Sequence, residues 1–178
     1  MLNTNFIANV RLLIGKSYAE CDCKDVICQA LGIRMAGTNW LWRSINNSSK
    51  YRYLVYRGRE IPHESYLLPG DILFKIRDNI PKGYDDGPDA YHVGVYCGDG
   101  IVIHSSPTTG VREESYVHGR WHAFGRMKQV DYGDQHDNTI RDPNTIQTEL
   151  NDHEMIKAIY NKICENVIHV DFSKERND

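Results

Sequence analysis

The chain has 178 residues, of which 25% are charged and 40% hydrophobic, and a formal net charge of −3. This length suits one domain with its own core, or one domain and an appendage. The negative charge argues against a nucleic-acid binder held by a basic surface. No apolar run approaches the ~20 residues that a membrane-spanning helix needs. The five cysteines are an odd number, so at least one is unpaired within the chain, and we expect no disulfide framework.

The N-terminal stretch MLNTNFIANVRLLIGK predicts a short helix rather than a secretion signal. It lacks a basic start, a long apolar run and a small-residue cleavage site. We therefore expect synthesis in the cytoplasm; a phage-related or other non-standard release route, and a trimmed chain, stay open. Asn5 to Ile14 has one apolar side and predicts the helix, which Gly15 ends.

A second helix is predicted to begin at Cys23. The apolar residues that follow it recur at helical spacing, namely Val26, Ile27, Ala30 and Leu31. Asp22 is a favoured N-cap residue, and the helix should stop near Gly32. The positive end of the helix dipole would then favour the thiolate of Cys23 and lower its pKa. A small buried cysteine is the other interpretation of this position.

The remaining pattern predicts an α+β fold in which helices precede an antiparallel sheet. Thr38 to Arg57 is rich in aromatic residues, and Leu68 to Asp71 is a tight turn. The predicted strands are Ile72 to Ile76, the two arms of a hairpin within YHVGVYCGDGIVIHSS, Val111 to Tyr116, and Trp121 to Val130.

The composition changes after Val130. Asp131 to Asn144 is polar and turn-rich, which predicts a linker. Thr148 to Val167 predicts an amphipathic helix, with one stripe of Met155, Ile156, Ile159, Ile163 and Val167. We expect a domain over residues 1–130 and an extension over 131–178. The stripe should pack on the domain or on a second copy of the chain, which would give a homo-oligomer.

Two histidines lie on the arms of the predicted hairpin. A three-residue loop of Gly98, Asp99 and Gly100 pairs Cys97 with Ile101 and Gly94 with His104. It leaves His92 as a same-face diagonal neighbour of His104, within side-chain reach. A glycine in the left-handed conformation suits the last loop position, and Gly100 is there.

A thiol at a helix start and two histidines on an adjacent sheet match a nucleophile, a base and an orienting group. In this hypothesis His92 takes the proton of the Cys23 thiol and later gives it to the leaving amine. A neutral His104 would fix the tautomer of His92. Two structural histidines in a sheet are the alternative interpretation.

These motifs occur in an order that resembles the NlpC and p-sixty cysteine peptidases of the bacterial cell wall. Gly15 and Tyr18 match a Gly-x-x-Tyr motif, and Asp22 with Cys23 matches the start of the nucleophile motif. The turn Pro69-Gly70-Asp71 and the stretch HVGVYCGDG with Val102-Ile103-His104 match the later motifs. The agreement covers roughly Phe6 to Lys128, and four motifs in the same order are fairly specific.

The resemblance implies a circularly rearranged papain-like fold and a cysteine endopeptidase that cuts peptidoglycan stem peptides next to D-glutamate. It implies Cys23 as nucleophile, His92 as base and His104 as the third polar residue. Tyr18 and Asp22 would contact substrate, and neither metal nor other cofactor is required. The departure from the family is Lys24-Asp25, which replaces the usual Ser-Gly and bears on specificity.

Three alternatives stay open. A thiol amidase or acyl transferase would use the same thioester chemistry. A zinc module could use Cys21, Cys23 and Cys28 with His63 or His92, although the spacing departs from the repeated C-x₂₋₄-C pairs of structural sites. A non-catalytic phage-tail or secretion-associated scaffold would keep the fold without the chemistry.

Overall fold

The computed structural model describes residues 1–47, 64–84 and 87–133. The predicted linker beyond Gly133, the C-terminal helix and the aromatic stretch after Asn47 lie outside these residues. The helices are α1 (Asn3–Arg11), α2 (Cys23–Leu31), α3 (Thr38–Asn47) and the short α4 (Tyr116–Gly119), with a 3-10 turn at Glu64–Tyr66. The strands are β1 (Ile72–Arg77), β2 (Asp89–Gly98), β3 (Ile101–Ser106), β4 (Gly110–Ser115) and β5 (Ala123–Gly125).

The five strands form one antiparallel sheet in the order β4-β3-β2-β1-β5. Successive residues of a strand face opposite sides of a sheet. One side therefore packs the alternate residues Val93 and Val95 of β2 against Phe6, Val26 and other apolar residues of the helices. The other side carries a smaller cluster around Trp121. The predicted α+β class, with N-terminal helices packed on an antiparallel sheet, is confirmed.

The α2 helix has the predicted bounds because both of its caps are strong. The Asp22 carboxylate accepts hydrogen bonds from the backbone N–H groups of Lys24 and Asp25, both at 2.9 Å. Gly32 ends the helix in the left-handed conformation, at φ +67°. The caps thus fix Cys23 as the first residue of the helix.

Other predicted bounds were wrong. The predicted helix from Asn5 to Ile14 is displaced to Asn3–Arg11, and the residues up to Gly15 form turns. The predicted strand from Trp121 to Val130 is reduced to β5, which pairs with only three residues of β1. The strand stops because the next residue, Arg126, turns into the core to meet a buried carboxylate. No helix in the described ranges is long and apolar enough to cross a membrane.

The chain remains packed on the fold beyond Val130. Asp131 forms a parallel bridge with Leu2, and the Tyr132 hydroxyl donates a hydrogen bond to the carbonyl of Gly70 at 2.9 Å. The described fold therefore reaches at least Tyr132, and the division into a domain and an extension stays a prediction.

A buried ion pair ties the turn before β1 to the chain after β5. Arg126 Nε donates to Asp71 Oδ1 at 2.9 Å, and both side chains are fully buried. The other carboxylate oxygen of Asp71 accepts the backbone N–H of Leu68 at 2.8 Å. A buried charge that loses its partner is strongly destabilising, so this pair holds the entry to β1.

We expect Asp71→Asn to lower the free energy of unfolding by about 3–5 kcal/mol, because it removes the carboxylate charge that pairs with the buried Arg126 guanidinium. The melting temperature should fall on the order of 10 °C. The matched control is Asp99→Asn in the exposed turn between β2 and β3, which should stay within about 0.5 kcal/mol of wild type. Equal melting temperatures for both variants would contradict this role of Asp71.

Candidate active site

The hairpin of β2 and β3 places the two histidines in the predicted relation by a different route. Gly94 pairs with His104, as expected, but Gly98 and not Cys97 pairs with Ile101. The loop is the two residues Asp99 and Gly100, both at positive φ, which is typical of a tight hairpin turn. A bulge at Cys97 supplies the extra residue that keeps Gly94 opposite His104.

The imidazoles of His92 and His104 are in direct contact. His92 Nε2 lies 2.9 Å from His104 Nδ1, and the rings are nearly perpendicular. His104 is 3% exposed, whereas His92 is half-buried. Burial, together with the neighbouring His104 and Lys75, lowers the pKa of His92 to about 3. His92 is therefore neutral near pH 7, as a general base must be.

Trp121 organises the pair and was not predicted as a site residue. Its ring stacks on His92 at a centroid distance of 5.6 Å and meets His104 edge-on at 5.7 Å. The ring fits against the sheet only because Gly94 has no side chain. A Cβ at Gly94 would lie 2.7 Å from the ring and 2.8 Å from Val102. The His-Val-Gly motif was the available sequence signal, because its glycine marks a close approach.

Cys23 lies at the start of α2 with only 7% of its surface exposed. Burial raises the pKa of its thiol and the Asp22 carboxylate raises it further, while backbone N–H groups of Val93 and Lys24 act in the opposite direction. The expected lowering of the Cys23 pKa was therefore wrong. The helix start does supply favourable N–H groups, but desolvation outweighs them.

The thiol and the histidines belong to different sides of the sheet. Cys23 packs in the helix-side core beside Val93, whereas His92 stacks on Trp121. Val93 and His92 are consecutive residues of β2 and project to opposite faces. Within the described residues no hydrogen bond joins Cys23 Sγ to His92. The structure thus brings His92 and His104 together and places Cys23 beside the backbone of the same strand.

The two predicted substrate contacts flank the thiol. Burial raises the pKa of Tyr18, and charge on Cys23 and then on Asp22 raises it further, so both groups lie near the hydroxyl. Asp22 is occupied as the helix cap and also pairs with the Lys24 ammonium at 3.1 Å. Lys24 pairs with Asp25 at 2.8 Å as well. Lys24 and Asp25, which stand where the resembled motif has Ser-Gly, therefore form an ion pair with each other in the first turn of α2.

Glu114 and Lys75 also border the histidine pair, and neither was predicted. Glu114 Oε2 lies 3.2 Å from His104 Nε2, at ion-pair distance but outside hydrogen-bond geometry. Lys75 is the β1 residue opposite His92, and its ammonium lies 4.8 Å from the Trp121 ring centroid. Isolated charges on strands carry little sequence signal, because only the register shows what they face.

Metal chemistry was one of the alternatives. Across residues 1–47, 64–84 and 87–133, no group of three His, Cys, Asp or Glu residues is arranged to hold a metal ion. His63, a candidate ligand, lies outside these residues. The four cysteines of the described ranges, Cys21, Cys23, Cys28 and Cys97, are free thiols. Cys21 is fully buried, and burial raises the pKa of its thiol to about 11.

The geometry defines a site in which a buried thiol at a helix start adjoins a strand that carries one member of a histidine pair. No protein-family model matches the chain, and no curated protein matches it. A solved structure, the NlpC/p60 domain of peptidoglycan hydrolase SagA, is similar over 71% of this chain and 100% of that domain. The identity is 20% and the TM-score is 0.41, a likeness too slight to assign residues.

The buried His92 should make the protein sensitive to acid. Its pKa is about 3 in the folded chain against 6.5 when exposed, so the unfolded chain binds more protons between these values. The stability contribution of neutral His92 is present above pH 6.5 and is lost as the pH falls toward 3. Denaturant unfolding from pH 7 to pH 4 should therefore show a shallower loss in His92→Gln than in wild type. The control His118→Gln, at an exposed position of α4, should follow wild type, and the same pH dependence in all three proteins would contradict the burial argument.

Gly94→Ala should displace Trp121, because the added methyl would stand 2.7 Å from a ring carbon. We expect a loss of about 1–3 kcal/mol of stability, as in other overpacked cores. The measurement is denaturant unfolding together with Trp121 fluorescence. Gly37→Ala is the matched control, since a Cβ at Gly37 would meet no atom within 4 Å and its φ lies outside the left-handed region. A wild-type Trp121 signal in Gly94→Ala would contradict the close-approach argument.

Proposed function

We propose that the chain is a cysteine peptidase that hydrolyses amide bonds in peptidoglycan stem peptides, next to D-glutamate, through a thioester. The observation that carries the proposal is the 2.9 Å contact between His92 Nε2 and His104 Nδ1. It leaves His92 Nδ1 as the nitrogen available to a thiol, on the strand whose next residue contacts Cys23. The substrate class comes from the motif resemblance over Phe6 to Lys128.

In the proposed reaction His92 Nδ1 takes the proton of the Cys23 thiol as sulfur attacks the scissile carbonyl carbon. A C–S bond forms, and the carbonyl becomes an oxyanion. His92 then gives its proton to the leaving nitrogen as the C–N bond breaks, which leaves a thioester and a free amine. Water, deprotonated by His92, attacks the thioester carbonyl, and the thiol is restored when the C–S bond breaks.

The oxyanion would be stabilised at the start of α2. The backbone N–H of Cys23 is a donor of the first helical turn, where the helix dipole favours negative charge. The Tyr18 hydroxyl, which lies near the thiol, is the second donor we propose. The N–H groups of Lys24 and Asp25 are already used by the Asp22 cap, so they are not free for this role.

The reaction begins from neutral groups. Burial keeps Cys23 as a thiol and His92 as an imidazole, so the proton moves only when the substrate is in place. The reaction also requires the Cys23 side chain and the His92 ring to come within proton-transfer distance, since no hydrogen bond joins them among the described residues. Catalytic hydrogen bonds are often long before substrate binds, and a bound peptide would have to complete this contact.

Digestion of defined muropeptides, followed by mass spectrometry, tests the proposal. Wild type should release products cut next to D-glutamate, whereas Cys23→Ala and His92→Ala should lose at least about 100-fold in rate. Cys21→Ala is the matched control: it removes a thiol from the same motif and should keep activity. Folding of each variant is checked by circular dichroism. Full activity in Cys23→Ala would overturn the assignment, and cleavage at a different bond, or transfer to an amine, would indicate the amidase or acyl transferase alternative.

One observation favours a second candidate, the non-catalytic phage-tail or secretion-associated scaffold. Cys23 is 7% exposed and is not hydrogen-bonded to His92, which is also the state of a structural cysteine. Alkylation by iodoacetamide separates the two. A catalytic Cys23 reacts faster than Cys21, Cys28 and Cys97 in the folded protein, whereas a scaffold shows no such selectivity.

A further inference from the structure

We propose that Glu114 is a positioning residue that fixes which nitrogen of each imidazole carries the proton, acting on His92 through His104. The motifs that carry the resemblance include the two histidines and assign no role to Glu114. The consequence for reaction rate rests on the proposed function, but the proton positions do not.

The position of Glu114 follows from the β3–β4 register. His104 pairs with Arg112, and Glu114 stands two residues further along β4, on the same face as His104. Glu114 Oε2 and His104 Nε2 are 3.2 Å apart. Both atoms are buried, and neither has a hydrogen-bond partner among the described residues. Buried polar atoms in proteins are nearly always paired, so each of these two atoms is the natural partner of the other.

The carboxylate dictates a chain of proton positions. An ionised Glu114 can only accept, so His104 must present its proton on Nε2. A neutral imidazole has a single N–H, so His104 Nδ1 is then an acceptor. The contact of 2.9 Å with His92 Nε2 is satisfied only if that nitrogen carries the proton. His92 Nδ1 is left with a lone pair, which is the form that can accept a proton from a thiol.

Two cations lie beside the row of hydrogen-bonding groups formed by Glu114 and the two histidines, and the Glu114 carboxylate offsets their charge. Arg112 lies 3.3 Å from Glu114 Oε1, and Lys75 faces the imidazoles from β1. Burial lowers the pKa of His104; Glu114 raises it, while Lys75 and Arg112 lower it. Among the described residues that act on the His104 pKa, Glu114 is the one carboxylate, so its loss would remove the acceptor that selects the Nε2–H form of His104.

Nitrogen-15 NMR of the histidine rings tests the inference without substrate. In wild type at pH 7, His92 and His104 should both be the Nε2–H tautomer. Glu114→Gln removes the charge, keeps the size, and gives the side chain a donor as well as an acceptor. Because hydrogen bonds to charged groups are stronger than neutral ones, the ratio of Nε2–H to Nδ1–H in His104 should fall about tenfold.

Glu113→Gln is the matched control, since Glu113 is the preceding residue of β4 and pairs with exposed Arg11. It should leave both tautomers unchanged. A wild-type His104 with its proton on Nδ1 overturns the inference with no variant needed, as do unchanged tautomers in Glu114→Gln. The alkylation rate of Cys23 is a separate readout: it should fall roughly 10-fold in Glu114→Gln, a part of what a general base supplies. The two readouts can disagree. If the tautomers change in Glu114→Gln but Cys23 is not alkylated selectively, the role of Glu114 is supported and the proposed peptidase function is overturned.

Discussion

The close approach of Trp121 to the backbone of Gly94 is the constraint on which the candidate site depends. The ring is fully buried, and both imidazoles pack on it. Trp121 is held there because the chain joins the sheet immediately after it: the backbone N–H of His122 donates to the carbonyl of Phe74 at 2.9 Å. The His122 ring in turn accepts the N–H of Ile76 at 2.8 Å. The hydrogen bonds of His122 to β1 therefore fix Trp121, and Trp121 in turn fixes the rings of His92 on β2 and His104 on β3.

The burial that orders the site also keeps the Cys23 thiol and the His92 imidazole neutral. A nucleophile prepared by a helix start should be a thiolate, yet desolvation raises the pKa of Cys23 and lowers that of His92. A thiolate–imidazolium pair is thus disfavoured at rest. The imidazole protons must then already lie on the Nε2 atoms, so that His92 Nδ1 keeps the lone pair that accepts the thiol proton. This gives a partly buried carboxylate such as that of Glu114 more influence than it would have in a solvated site.

The sequence predicted the parts of the fold that depend on local chemistry. The caps Asp22 and Gly32 act within one helix, so the bounds of α2 were correct. The pairing of Gly94 with His104 was also correct, although it depends on a bulge at Cys97 that no residue type announced. The strand predicted from Trp121 to Val130 was too long, because β5 ends where Arg126 turns toward Asp71. Asp71 is distant in sequence, so local patterns do not show this end. Glu114 and Lys75 were missed for the same reason, since their neighbours come from strand register.

Strand alternation explains why the thiol and the base belong to different sides of the sheet. A helix packed on one face of a sheet contacts alternate residues of the strand below, so Cys23 at the start of α2 shares a core cluster with Val93. The arrangement lets Cys23 contribute to an apolar core while the polar chain of histidines and Glu114 lies against Trp121. The thiol is stabilised by the apolar core, and the imidazoles are stabilised by their contacts with Trp121. A substrate that binds here would therefore have to offset the free-energy cost of exposing the thiol. Binding energy from the peptide is a suitable source, because interactions remote from the reacting bond can offset distortion at the reacting centre. Activity in this chain should therefore depend on the length of the peptide through kcat, and not only through KM.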